Sequence, residues 1–221
     1  MRSPFSPVQF LLFIFLLAFL IAFVQIGLIT IAFDKLGLSP TSAFLLLYGS
    51  LLGSAINLPL FTIKSEPPPE ALPPLYRGLL NPPLGEFHGE TVIAINVGGG
   101  LIPIFFSLYL LQHHPIPLLE VVLAIAIVAT VSYFLSRPIP GVGIAMPVFI
   151  PPVTAALAAL LIDPQYSAPL AYIGGTLGVL IGADLLHLKD IRHMGTPMAS
   201  IGGAGTFDGI FITGIVAVLL A

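Results

Sequence analysis

The chain of 221 residues has no cysteine and no tryptophan, and charged side chains make up only 8% of it. Without cysteine there is no disulfide framework, no thiolate nucleophile and no Cys-based zinc site. Seven Lys and Arg against ten Asp and Glu give a net charge of −3, too few positive charges for a nucleic-acid footprint, so nucleic acid is excluded as a partner. Chemistry, if any, must come from Asp, Glu, His, Ser, Thr and the backbone. What is abundant is apolar: 57% of the residues are hydrophobic and the mean hydropathy is +1.08, more than a soluble fold can hide. Twenty-two Gly and twenty-two Pro, without regular spacing or polar low complexity, fit a polytopic membrane protein with interrupted helices.

A membrane-crossing helix needs about 20 apolar residues. The gaps between charges predict an all-α transmembrane bundle of about seven spans, near residues 8–33, 41–62, 91–112, 118–136, 141–162, 166–188 and 202–221. The first is longer than the apolar region of a signal peptide and lacks a small-x-small cleavage site, so it reads as a permanent anchor. The whole chain, 1–221, reads as one transmembrane domain in the cell membrane, with the lipid bilayer as its first partner. The one extended polar stretch, 64–90, holds Pro67-Pro68-Pro69, Pro73-Pro74 and Pro82-Pro83 and reads as a stiff loop.

Cytoplasmic loops are enriched in Lys and Arg. A cytoplasmic N-terminus places Arg2, Lys64, Arg77, Arg137, Lys189 and Arg192 inside and leaves only Lys35 outside, with the C-terminus outside as well. The unusual residues then gather on the cytoplasmic side. They are Glu86 to Glu90, Asn96 and Gly98-Gly99-Gly100, Gly141 to Pro147, Gly182-Ala183-Asp184 with His187, and Gly202 to Gly209. Small residues let helices approach closely; they also loosen helix starts around a water-filled cavity, where irregular backbone is tolerated at membrane depth.

Of ten acidic residues, Asp184 and Asp208 fall inside segments that otherwise read as membrane helix. A charge at the bilayer centre costs about 2.5–3.5 kcal/mol on insertion scales. Asp184 precedes Lys189 by five residues, which is roughly 7 Å of helix. The two segments are consecutive and antiparallel, so the carboxyls stand at comparable depth and can face each other. Two carboxyls sharing a proton can activate water against a peptide carbonyl and protonate the departing nitrogen. The substrate would be a membrane protein or peptide. Gly182, Gly205 and Gly209 would admit an extended backbone, while Phe207, His187 and Asn96 would support the pair.

Other readings use the same residues. Glycine-broken helices with intramembrane aspartates also suit a proton- or ion-coupled transporter, and helix-to-helix hydrogen bonding would suit a non-catalytic scaffold. Asp184 and His187 share a helical face and could bind a metal with His88 or Glu90, but no HExxH or similar zinc spacing is present, and no cofactor or metal is expected. Ser200 lacks a nucleophile-elbow context, and His113 and His114 read as loop residues. An oligomer is compatible with the composition.

Residues Gly182-Ala183-Asp184 and Gly205-Thr206-Phe207-Asp208-Gly209 resemble the GxGD-type intramembrane aspartyl proteases, the presenilin, signal peptide peptidase and prepilin peptidase group. The resemblance covers the last two spans and implies Asp184 and Asp208 as the catalytic pair. This sequence has Phe207 where that group has glycine, and no Pro-Ala-Leu segment follows. Over its whole length the chain looks more like an uncharacterised prokaryotic membrane family, domain of unknown function 1614, through Gly182 to Leu188 and Gly202 to Gly209.

Overall fold

A computed structural model describes residues 7–25, 27–67, 89–139, 143–203 and 209–221. The chain is mostly helical, as expected, but it is not all-α: among the described residues five strands form a three-stranded and a two-stranded sheet.

The N-terminal apolar stretch is two helices, α1 (Pro7–Gln25) and α2 (Leu28–Lys35). Gly27, at φ +81°, takes a left-handed turn between them. α3 (Pro40–Gly53) begins with Pro40 behind Ser39, whose hydroxyl oxygen accepts the Ser42 N–H at 3.2 Å; this is the N-cap chemistry that opens helices. After Gly53 the chain turns into β1 (Asn57–Lys64), which pairs antiparallel with β2 (Glu90–Asn96). The last six residues of the expected span 41–62 and the first six of the expected span 91–112 are therefore strand. Thr62, Ile63, Thr91, Val92, Ile93 and Ile95 are β-branched, and such runs suit a pleated sheet.

From β2 the chain passes through a π-helical turn (Val97–Leu101) into α4 (Ile102–His113), then α5 (Leu118–Leu135). A small hairpin, β3 (Arg137–Ile139) with β4 (Gly143–Ala145), precedes α6 (Ile150–Ile162), so the expected span 141–162 is helical only in its second part. Pro147 and the Pro151-Pro152 pair set that start, since proline is accommodated in a helix's first turn but not further inside. α7 (Ser167–Val179) runs into a second π-helical segment (Leu180–Leu185). Beyond a short 3₁₀ turn (Asp190–His193), β5 (Met198–Ile201) pairs parallel with β2, giving the order β1-β2-β5. α8 (Gly209–Leu220) ends the chain.

Among the described residues, two helical stretches are long and apolar enough to cross a membrane, Leu118–Leu135 and Ser167–Leu185. They occupy different environments: 28% of the first is buried and 78% of the second. α7 is thus the central helix, with Leu170, Tyr172, Ile173 and Thr176 fully covered by α4, α5, α6 and α8. Its glycines make that possible. A Cβ at Gly178 would stand 2.6 Å from Val128 Cβ, and one at Gly182 would strike the Ala129 carbonyl. The contacts run Gly174 to Ala124 and Gly178 to Val128, so α5 and α7 are parallel.

Candidate functional site

The π-helical end of α7 carries Asp184. In this segment the backbone bonds reach back five residues, as with the Leu186 N–H to the Ile181 carbonyl at 2.9 Å, and such bulges are frequent at functional sites. Asp184 is half-buried, and its Oδ2 accepts the Gly202 N–H at 2.7 Å. Gly202 follows directly after β5 and needs to be glycine twice over. Its φ is +83°, and a Cβ there would lie within 2.7 Å of the Gly99 and Gly100 backbone. Three chain segments meet at this point: the end of α7, the end of β5 and the turn after β2.

Behind that junction lies a closed amide network. Asn96 donates one N–H to the Ser54 carbonyl at 2.8 Å and the other to Asn57 Oδ1 at 2.9 Å, while its own oxygen accepts the Gly99 N–H at 2.8 Å. Ser200 Oγ donates to the same Asn57 oxygen at 2.6 Å. Asn96 thus ties β1, α3 and the glycine turn together. Both of its N–H groups are used there, and Asp184 is not among its partners.

His187 is 6% exposed. Its Nδ1 stands 3.1 Å from the Gly182 carbonyl, which selects the tautomer protonated on Nδ1, and its ring rests on Tyr133 at 4.8 Å. The same face of α5 carries two residues that sequence reasoning passed over. One and two turns beyond Ala129 come Ser132 and Ser136, both buried, with no partner for either hydroxyl among the described residues. The available signal was their i, i+4 spacing at the end of an otherwise apolar helix. Buried hydroxyls are normally satisfied by protein or by ordered water.

The other expected site residues divide. Gly182 is the contact with Ala129, and Gly209 is the first residue of α8. Gly205, Phe207 and Asp208, together with His88, lie outside the described residues. Glu90, exposed at the start of β2, sits opposite Lys64 in the β1–β2 register. Among the described residues no group of three His, Asp or Glu is placed to hold a metal.

A family model described as "Protein of unknown function (DUF1614)" matches residues 51–220. No curated protein and no solved structure matches the chain.

Proposed function

The chain belongs to the DUF1614 family, and from that membership and the geometry around Asp184 we propose that it is a multipass protein of the cell membrane, N-terminus cytoplasmic, that hydrolyses peptide bonds of membrane-embedded substrates with Asp184 and Asp208. The observation that carries the reading is the hydrogen bond from the Gly202 N–H to Asp184. It docks the first aspartate onto the strand end from which the chain continues to the second, six residues on.

The chemistry follows from the residue types. One carboxylate takes a proton from water as the oxygen attacks the peptide carbonyl carbon. The protonated partner then gives its proton to the amide nitrogen, the C–N bond breaks, and a carboxylic acid and an amine leave. The Gly202 N–H fixes the orientation of the Asp184 carboxyl. Among the described residues β5 is the outer strand of its sheet, so an extended peptide would have main-chain groups to pair with beside that carboxyl. No metal or cofactor is required.

The test is cleavage of membrane peptides by purified protein in liposomes. Asp184→Asn and Asp208→Asn should each lower the rate by at least about 100-fold; cleavage that persists in either variant removes the dyad.

A second reading, proton- or ion-coupled transport by the same aspartates, is favoured by one observation. α7 carries the fully buried Tyr172 and packs against Thr213 of α8, and neither hydroxyl has a partner among the described residues. Interrupted helices with intramembrane carboxyls suit such a path. Liposome flux that depends on Asp184, without cleavage, would select it. Neither activity, with both variants folding normally, would leave a scaffold.

A further inference from the structure

α6 is too short for an ordinary bilayer. Its outward face is a single apolar stripe, Phe149, Val153, Leu157 and Leu161, with Phe149 75% and Leu161 84% exposed. The opposite face is alanine, with Ala155, Ala156, Ala158 and Ala159 buried. α6 packs against α5, whose exposed face runs from Leu118 (71%) to Phe134 (76%).

Both ends of the stripe are bounded. At the C-terminal end Asp163 accepts the backbone N–H groups of Gln165 and Tyr166 at 2.9 and 3.2 Å, and Glu120 of α5 lies beside it. At the N-terminal end come Met146-Pro147-Val148 and the β3–β4 hairpin. Among the described residues that hairpin has only two strands, so each has an outer edge of N–H and C=O groups with no described strand beside it. Open sheet edges and lipid-exposed irregular backbone do not occur in the hydrocarbon region. The hydrocarbon must therefore stop near Phe149. At 1.5 Å per residue, Phe149 to Leu161 spans about 18 Å and Leu118 to Phe134 about 24 Å, against about 30 Å for a typical hydrocarbon core.

We infer that the α5–α6 face holds a locally thinned bilayer, with a hydrocarbon layer of about 18–24 Å, and so takes short-chain lipid in preference to long. The inference rests on the membrane part of the proposed function and is independent of the peptidase chemistry. It has a consequence for the site. Ala155 of α6 is level with Gly175 of α7, where a Cβ on the glycine would stand 3.2 Å from the alanine methyl. From there α6 has only five residues left to Ile150, while α7 and its π-helical end have nine to Asp184. Asp184 stands about 6 Å beyond the point where α6 begins. Thinned lipid beside α6 brings headgroups and water to the depth of that carboxylate.

The chain has no tryptophan, so Leu157→Trp and Phe134→Trp each give a single reporter on α6 and α5. Each variant is reconstituted in phosphatidylcholine vesicles with chains from about 14 to about 22 carbons, and competition with brominated lipid gives relative lipid affinities. The expected result is quenching of both reporters and binding strongest at the short-chain end, falling roughly threefold or more by the longest. A maximum at about 18 carbons or longer, or a flat profile, overturns the inference. Quenching at position 134 but not 157 also overturns it, because protein, such as a second copy of the chain, then covers α6. Quenching at neither position overturns it together with the membrane reading. Loss of cleavage with an unchanged lipid profile removes only the peptidase reading and leaves the thinning supported.

Discussion

Replacing Gly182 by alanine tests the packing that places Asp184. The added methyl meets the Ala129 backbone, its carbonyl oxygen first, and backbone cannot swing aside as a side chain can. α5 and α7 would have to part until the methyl stands about 3.5–4 Å from its neighbours. Overpacking of this kind costs about 1–3 kcal/mol, and a rigid obstacle puts it at the upper end. Alanine recovers about 0.5–1 kcal/mol of backbone entropy relative to glycine in a helix, leaving a net loss of about 2 kcal/mol. Gly49→Ala is the control. There the new methyl lies 3.7 Å from Ile102 Cδ1, an ordinary contact, so only the entropy term acts and the protein gains about 0.5–1 kcal/mol. Thermal unfolding in detergent, followed by circular dichroism, should show Gly182→Ala melting roughly 4–8 °C lower and Gly49→Ala no lower than the parent. Equal shifts for the two, or a neutral Gly182→Ala, would refute the close α5–α7 approach.

The remaining predictions use the same assay unless stated. Asn96→Ala removes three hydrogen bonds and leaves the Ser54 carbonyl and the Gly99 N–H unpaired, so a loss of about 3 kcal/mol is expected; a loss below about 1 kcal/mol would mean the network is hydrated. Ser132→Ala removes a buried hydroxyl that has no partner among the described residues and should leave the melting temperature unchanged or raised, whereas a marked fall would reveal an ordered water held there. Gly202→Ala forces a side chain into a left-handed position against backbone and should lower both stability and any cleavage. Glu66 and His193 are 3.0 Å apart but 68% and 65% exposed, so His193→Ala should shift stability by less than about 1 kcal/mol, checked at low and high salt.

Hydropathy made two helical stretches legible, the ones long and apolar enough to cross a membrane. The expected spans 118–136 and 166–188 correspond to α5 and to α7 with its π-helical end, and Asp184 sits near the end of the latter, as the spacing to Lys189 suggested. The strands were not legible, because an apolar run of residues 57–62 or 91–96 has the same hydropathy in a strand as in a helix, and no polar alternation marked the difference. Nor is the pairing of Val92 with Met198 written in local sequence. Asn96 was visible as a polar residue in an apolar run, but its partners Ser54 and Asn57 come from a different segment. Gly202 was read as one glycine of a cluster. Its distinction is the bond it donates to Asp184 and the backbone it lies against, both properties of the folded chain.

The parallel pairing of β2 with β5 also sets an order of events during synthesis. Val92 meets Met198, about a hundred residues later, and ribosomes add about 5–20 residues per second. β2 therefore waits some 5–20 s for its second partner, while α4 to α7 emerge and pack. β1 is on hand from the start to cover one side, but the other edge stays open until β5 has been made. The Gly202 bond to Asp184 forms only after that edge closes. A nascent chain that has not yet reached β5 would hold Asp184 without the strand end that orients it.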